Sequence, residues 1–193
     1  MKIEKHNIHN LLFVILFLMA FLERTVWDLG PNIELITTSM ILASFYLGRK
    51  EAFWLTFAII SVTDRVIGNS NIFLFTWSGF LIPALLSTKL IKILMFKLRV
   101  KIIPLISLGL VSNLFYYLWT NFGVWIMDSW GMYTKDLPGL VMCYINGLPF
   151  LKNQLISTLI FIPAGIIAIE AGMIFEKHLE KTSLLTKTNT QHS

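Results

Sequence analysis

Cysteine and histidine are scarce in this 193-residue chain, and their scarcity excludes several kinds of site. Cys143 is the only cysteine, so the chain can form no disulfide within itself and no cluster of thiolate metal ligands. The histidines, His6, His9, His178 and His192, lie near the two ends of the sequence and lack the spacing of metal ligands. We therefore expect neither a metal centre nor a cofactor.

Motifs for common enzyme chemistries are also absent from the sequence. There is neither a G-x-S-x-G nucleophile elbow nor a glycine-rich phosphate loop, so the sequence contains no recognisable motif for nucleophilic hydrolysis or nucleotide binding. No series of acidic residues runs through the apolar segments, as the proton relay of a pump would require. We expect that the protein is not an enzyme and not a self-contained ion-driven pump.

Charged residues make up only 14% of the chain, whereas 55% of its residues are hydrophobic and the mean hydropathy is +0.70. A soluble domain cannot cover so much apolar surface, so the composition predicts a protein of the lipid bilayer. The net charge of +5 does not indicate nucleic-acid binding. The basic residues are spread between apolar segments and form no patch with interleaved aromatic residues.

Six apolar segments predict an all-α membrane bundle of six transmembrane helices. The first, residues 8–27, follows Lys2 and Lys5 but has no small-residue cleavage site, so we predict a retained helix and not a signal peptide. The other five are predicted at residues 33–48, 51–68, 72–94, 102–126 and 155–175. We expect a single domain over residues 1–176, followed by a polar, disordered cytoplasmic tail at residues 177–193.

The distribution of basic residues predicts the orientation of this bundle. With a cytoplasmic N-terminus, 12 of the 16 lysines and arginines lie in cytoplasmic segments, which leaves Arg24, Arg65, Lys135 and Lys152 outside. Short cytoplasmic loops of membrane proteins collect basic residues in this way. The sequence therefore predicts a multi-pass protein with both termini in the cytoplasm.

Residues 120–153 (TNFGVWIMDSWGMYTKDLPGLVMCYINGLPFLKN) form the long segment between the two chain ends that least resembles a membrane-spanning sequence. It follows the fifth predicted helix on the outer side, and a connection of this length is more often an ordered functional element than a structureless loop. Within it, residues 137–150 are apolar but too few to cross the bilayer. We predict an interfacial or re-entrant helix there.

Aromatic and amide residues gather around this stretch. Five of the six tryptophans fall in or near the predicted outer half, where they form either an interfacial belt or the wall of a pocket. Asn113, Tyr117 and Asn121 share one face of the fifth helix, and a buried amide must bond either another helix or a group in a cavity. Asp64 is either paired structurally or in contact with a ligand. The predicted substrate site comprises Asn113, Tyr117, Trp119, Asn121, Trp125, Tyr144, Asn146, Asn153 and Asp64.

The sequence TNFGVW at residues 120–125, followed by PGL at 138–140, CY at 143–144, GLPF at 147–150 and Asn153, resembles an uncharacterised family of bacterial six-helix membrane proteins. That family is similar in size and helix number to the substrate-binding S components of energy-coupling-factor (ECF) vitamin transporters. The resemblance implies a protein of the bacterial inner membrane that binds a small vitamin-like molecule in an outward-facing pocket. It also implies two partners, a transmembrane coupling subunit and an ATPase.

Two other functional classes stay open at this point, a non-transporting membrane scaffold and a stand-alone channel or carrier. A coupling subunit would need a close-packing surface, because helices in lipid associate through small residues. On the second predicted helix, small residues recur at four-residue spacing and predict a docking surface at Ser39, Ala43, Ser44 and Gly48. The alternative is that these four residues pack against other helices of the same chain.

Overall fold

The computed structural model describes residues 2–27, 29–68, 71–98 and 101–190, with side chains at 8–27, 29–68, 71–97 and 101–179. Over these residues the chain is all-α, as predicted, and contains no strand. A π-helical turn at Glu23–Trp27 extends the first helix. The six helices are α1 (Lys2–Leu22), α2 (Ile36–Tyr46), α3 (Arg49–Ile67), α4 (Phe73–Leu98), α5 (Ile102–Met127) and α6 (Leu137–Thr190).

Four stretches of helix among the described residues are long and apolar enough to cross a membrane. They are Ile8–Trp27, Phe73–Lys97, Ile102–Met127 and Leu137–Leu179. α2 has only 11 residues, whereas a bilayer crossing needs about 20. α3 carries charged residues at both of its ends, such as Arg49 and Asp64. The predicted number of helices is therefore confirmed, but four and not six have the length and composition of a crossing.

The short helix α2 lies at the centre of the bundle. Residues 35–44 are all buried, and α2 contacts each of the other five helices. Its side chains are apolar, or small and hydroxylated, on every side, so no face of this helix requires contact with water. The other helices thus form a ring around α2.

The burial of α2 overturns the predicted docking surface. Ser39, Ala43 and Ser44 are 2%, 0% and 2% exposed, so a second subunit cannot reach them. The hydroxyl of Ser39 donates to the carbonyl oxygen of Leu16 on α1 at 3.0 Å. Gly48 has a φ of +118° and reverses the chain between α2 and α3. These small residues let helices of one chain approach closely, which was the alternative interpretation of the pattern.

The predicted interfacial or re-entrant helix at residues 137–150 is also wrong. These residues are the beginning of α6, which is continuous over 54 residues with Pro149 and Pro163 inside it. α6 is supported along this part by α5, against which it packs in the antiparallel direction. The helix continues to Thr190, so the described part of the tail that was predicted to be disordered is helical.

Three contacts show how α5 and α6 are aligned. At the start of α6, the thiol of Cys143 donates to the carbonyl oxygen of Asn121 at 3.3 Å. At the other end of α5, Lys101 Nζ lies 2.6 Å from Glu170 Oε1. The hydroxyl of Tyr46, at the end of α2, donates to the same carboxylate oxygen at 2.8 Å. The bundle is therefore tied together at the Lys101 end.

Candidate functional site

A cavity of about 590 Å³ lies at the end of the bundle that carries the α5–α6 connection, residues 128–136. We call this cavity the chamber, and its volume is within the range of small-molecule pockets. Its polar lining residues are Arg24, Asn32, Asp64, Thr76, Thr120, Asn121, Asn146 and Gln154. Its aromatic lining residues are Tyr116, Tyr117, Trp130, Tyr133 and Phe150.

A second cavity, of about 440 Å³, adjoins the chamber. Arg24, Asn32, Tyr116 and Gln154 line both cavities and so mark the boundary between them. We call the second cavity the side lobe. It lies beside the beginning of α2 and adds two carboxylates, Glu23 and Glu34, to the lining.

An ion pair between α1 and α3 forms part of the chamber wall. Arg24 Nη2 lies 2.8 Å from Asp64 Oδ1. The second oxygen of Asp64 accepts a hydrogen bond of 2.7 Å from the indole N–H of Trp77 on α4. Asp64 therefore has the structural pairing that the sequence allowed, and it also lines the chamber.

The two carboxylates of the side lobe are held by backbone groups at the start of α2. Glu23 Oε2 accepts from the N–H of Leu35 at 3.1 Å, and Glu34 Oε2 accepts from the N–H of Thr37 at 3.0 Å. Both carboxylates therefore satisfy N–H groups that the first turn of a helix leaves unpaired, and they oppose the positive end of its dipole. Burial raises the pKa of the Glu34 carboxyl, whereas hydrogen bonds from Thr37 lower it.

Four of the nine predicted site residues line the chamber: Tyr117, Asn121, Asn146 and Asp64. The hydroxyl of Tyr117 donates to the carbonyl oxygen of Tyr144 on α6 at 2.6 Å. Asn121 Nδ2 donates to the carbonyl oxygen of Tyr117 at 2.8 Å, which fixes the orientation of its amide. Asn146 Nδ2 donates to the hydroxyl of Tyr133 at 3.3 Å. The predicted aromatic and amide character of the site is thus present in the lining of the chamber.

Asn113 and Trp119 do not line the chamber. Asn113 is fully buried, and its Nδ2 donates to the carbonyl oxygen of Gln154 at 2.8 Å and to Thr158 Oγ1 at 2.7 Å. It joins α5 to α6, which is the helix-to-helix alternative of the sequence analysis. Trp119 donates its indole N–H to Ser78 Oγ on α4 at 2.8 Å and lies in the contact between α4 and α5.

The three remaining predicted residues, Trp125, Tyr144 and Asn153, hold backbone segments around the chamber. The indole N–H of Trp125 donates to the carbonyl oxygen of Thr134 at 2.9 Å. The hydroxyl of Tyr144 donates to the carbonyl oxygen of Leu118 at 3.1 Å. Asn153 Nδ2 donates to the carbonyl oxygen of Pro31 at 2.8 Å and fastens the α1–α2 connection to α6. These residues position the walls instead of forming the lining.

Arg24 and Gln154 line the chamber but were not predicted. Gln154 is 2% exposed, and its side-chain amide has no hydrogen-bond partner among the described residues. The sequence does contain a pattern that places Gln154 at the chamber, because Cys143, Gly147 and Gln154 fall at helical spacing on one face of α6. That pattern was hidden by the assignment of residues 137–150 to a separate helix.

Within the part of the chain that the structure describes, no group of three or more His, Cys, Asp or Glu side chains is placed to hold a metal ion. The chamber instead combines aromatic rings, amides and a neutralised ion pair. Such a lining is suited to binding an organic molecule by stacking and hydrogen bonds.

The fold and the site together define an all-helical bundle that holds a chamber of small-molecule size. Four of its helical stretches have the length and composition of membrane crossings. The chain belongs to a family of unknown function (DUF6580), whose model matches residues 4–179. No curated protein and no solved structure matches the chain.

Proposed function

We propose that this protein is the substrate-binding component of a membrane uptake system, similar to ECF S components, and that its chamber holds a small vitamin-like molecule. The observation that carries the proposal is the chamber of about 590 Å³, with five aromatic side chains and several amides in its lining. Pockets that bind small molecules have this combination of apolar walls and a few fixed polar groups.

The energy for uptake comes from separate subunits in this proposal. The sequence has no phosphate-binding loop and no chain of acidic residues for ion coupling. A transmembrane coupling subunit and an ATPase are therefore the expected partners, as the resemblance to S components implies. Protein reconstituted alone in vesicles without ATP should bind its ligand but not accumulate it, and accumulation there would contradict this part.

The proposed location is the bacterial inner membrane, with both termini in the cytoplasm and the chamber facing outward. The bias of 12 basic residues against four supports this orientation. The chamber lies at the end of the bundle that carries Lys135, one of those four. An outward-facing chamber is the arrangement that capture of an external molecule requires.

The experiment that tests the proposal is the identification of molecules that copurify with the protein. The protein is purified in mild detergent without denaturation, and its small-molecule extract is analysed by mass spectrometry. We expect one organic compound enriched over an extract of the Asn121→Ala variant, purified in parallel. An extract that contains only lipid and detergent would favour a membrane scaffold instead.

A further inference from the structure

Gln154 is a nearly fully buried residue of the chamber lining whose side-chain amide forms no hydrogen bond with the described residues. The residue is 98% buried and lies at the boundary between the chamber and the side lobe. Its backbone carbonyl is bonded to Asn113, but its amide is not bonded to any described residue. An amide that borders a cavity and forms no hydrogen bond with the protein is a candidate for contact with a ligand.

The chemistry of an amide restricts what that ligand group is. A glutamine side chain presents an N–H donor beside a carbonyl acceptor in one plane. It therefore forms two parallel hydrogen bonds with a partner edge that carries one acceptor and one donor, as glutamine does with the edge of adenine. Carboxamides and lactams present such an edge, whereas an ionised carboxylate has acceptors only.

The charges around Gln154 act against an anion. The lining of the two cavities contains one guanidinium, on Arg24, and three carboxyl groups, on Glu23, Glu34 and Asp64. Arg24 is already paired with Asp64 at 2.8 Å, so an incoming carboxylate would have to compete with that pair. The lining thus contains more carboxyl groups than cationic groups, and a cleft with an excess of one sign of charge repels ligands of the same sign.

The walls beside Gln154 favour a flat molecule. Tyr116 lines both cavities with Gln154, and Phe150 precedes Gln154 by one helical turn on the same face of α6. Aromatic faces stack on planar rings in offset or edge-to-face arrangements. A planar ligand placed against these rings can present its edge to the amide.

From these observations we infer that the chamber takes an uncharged planar ring compound whose carboxamide or lactam edge pairs with the side-chain amide of Gln154, and that it excludes carboxylates of the same shape. This inference rests on the proposed function, since it names the class of molecule that the same chamber binds. It makes Gln154 a specificity-determining residue.

Matched pairs of compounds test the inference on the purified full-length protein. Benzamide is compared with benzoate, and quinoline-3-carboxamide with quinoline-3-carboxylate, by titration calorimetry at pH 7. We expect each carboxamide to bind at least tenfold more tightly than its carboxylate. Equal or tighter binding of the carboxylates, or no binding of either carboxamide, would overturn the inference.

The Gln154→Leu variant separates ligand contact from a structural role. Leucine has a similar volume but no polar group, so the variant should lose the preference for carboxamides over carboxylates. Its ligand-free melting temperature should be nearly unchanged, because the amide that is removed forms no hydrogen bond with the described residues. The matched control is Asn113→Leu, which removes two hydrogen bonds between α5 and α6 and should lower the melting temperature. A Gln154→Leu variant that melts like the control would assign Gln154 to structure and overturn the inference.

The same measurements distinguish failure of this inference from failure of the proposed function. If carboxylates bind and Asn121→Ala weakens them, the chamber binds small molecules of another class and the proposed function stands. If none of the four compounds binds and no compound copurifies with the protein, the inference and the proposed function both fail.

Discussion

Arg24 Nη2 and Asp64 Oδ1 lie 2.8 Å apart in an ion pair that joins the end of α1 to the last turn of α3. The two side chains are 20% and 7% exposed, so most of the pair is removed from water. The indole N–H of Trp77 donates to the other oxygen of Asp64, so each oxygen of the carboxylate has a partner. One face of the chamber therefore depends on a charge pair whose members are costly to separate.

The first prediction concerns this pair. Arg24→Met alone should lower the free energy of unfolding by about 2–4 kcal/mol, because it leaves the Asp64 carboxylate buried without its counter-ion. The double variant Arg24→Met/Asp64→Asn should recover a large part of this loss, since asparagine still accepts from Trp77. Thermal unfolding of the wild type, both single variants and the double variant measures the coupling. If the double variant loses the sum of what the two single variants lose in free energy of unfolding, Arg24 and Asp64 are not coupled in the protein.

The second prediction concerns Asn121. Its Nδ2 is already bonded to its own helix, and its Oδ1 has a weak thiol contact at 4.0 Å, so the oxygen is available to a ligand. Asn121→Ala should weaken binding of the copurified compound about tenfold and leave the melting temperature of the ligand-free protein nearly unchanged. A collapse of that melting temperature would show that Asn121 is structural.

The third prediction concerns the start of α6. Asp136 Oδ1 accepts from the hydroxyl of Thr134 at 2.6 Å and from the N–H of Gly139 at 2.9 Å, which is the geometry of a helix N-cap. These bonds lower the pKa of Asp136 below its ordinary value of 3.8. Its stabilising effect is therefore present above the unfolded-state pKa and is lost as the pH falls through the lower folded-state value.

Asp136→Asn supplies the comparison for this pH dependence, because asparagine also caps helices but does not titrate in this range. The wild type should melt at a higher temperature than Asp136→Asn at pH 7, and the difference should shrink as the pH is lowered below about 4. Melting curves of both proteins over a pH series measure this difference. A difference that is the same at every pH would exclude a charged cap.

The fourth prediction concerns orientation. A reporter enzyme that is active only outside the cytoplasm should be active when fused after Asp136 and inactive when fused after Lys181. A fusion after Arg99, a position outside the described residues, should also be inactive. Activity at Arg99 would reverse the proposed topology and place the chamber on the wrong side for capture of external molecules.

Much of the fold follows from local sequence. The bounds of α4 and α5 lie within a few residues of those predicted, because an apolar run and the polar residues that interrupt it are features of neighbouring positions. The central position of α2 is not such a feature. Its small residues were interpreted as a surface for another subunit, whereas contacts with the other five helices bury them within their own chain.

Part of the site could also be predicted, because it depends on the spacing of neighbouring residues along one helix. Asn121 and Tyr117 were identified because their spacing along α5 is local. Asn113 has the same spacing, but whether its amide meets a cavity or a neighbouring helix depends on how α6 packs, and α6 places Thr158 against it. Gln154 and Arg24 were missed because their position at the chamber depends on the continuity of α6 and on the turn that ends α1.

Native mass spectrometry of three forms of the protein tests the central claim, that the chamber is a binding site, most directly. A Cβ atom on Gly147 would lie 2.8 Å from Asn121 Cγ, so Gly147→Ala must displace that side chain from the chamber wall. A Cβ atom on Gly172, also in α6, would meet nothing within 4 Å. We predict one bound small molecule per chain in the wild type and in Gly172→Ala, and a strongly reduced bound fraction in Gly147→Ala. Equal occupancy in all three forms, or no bound molecule in any of them, would contradict the claim.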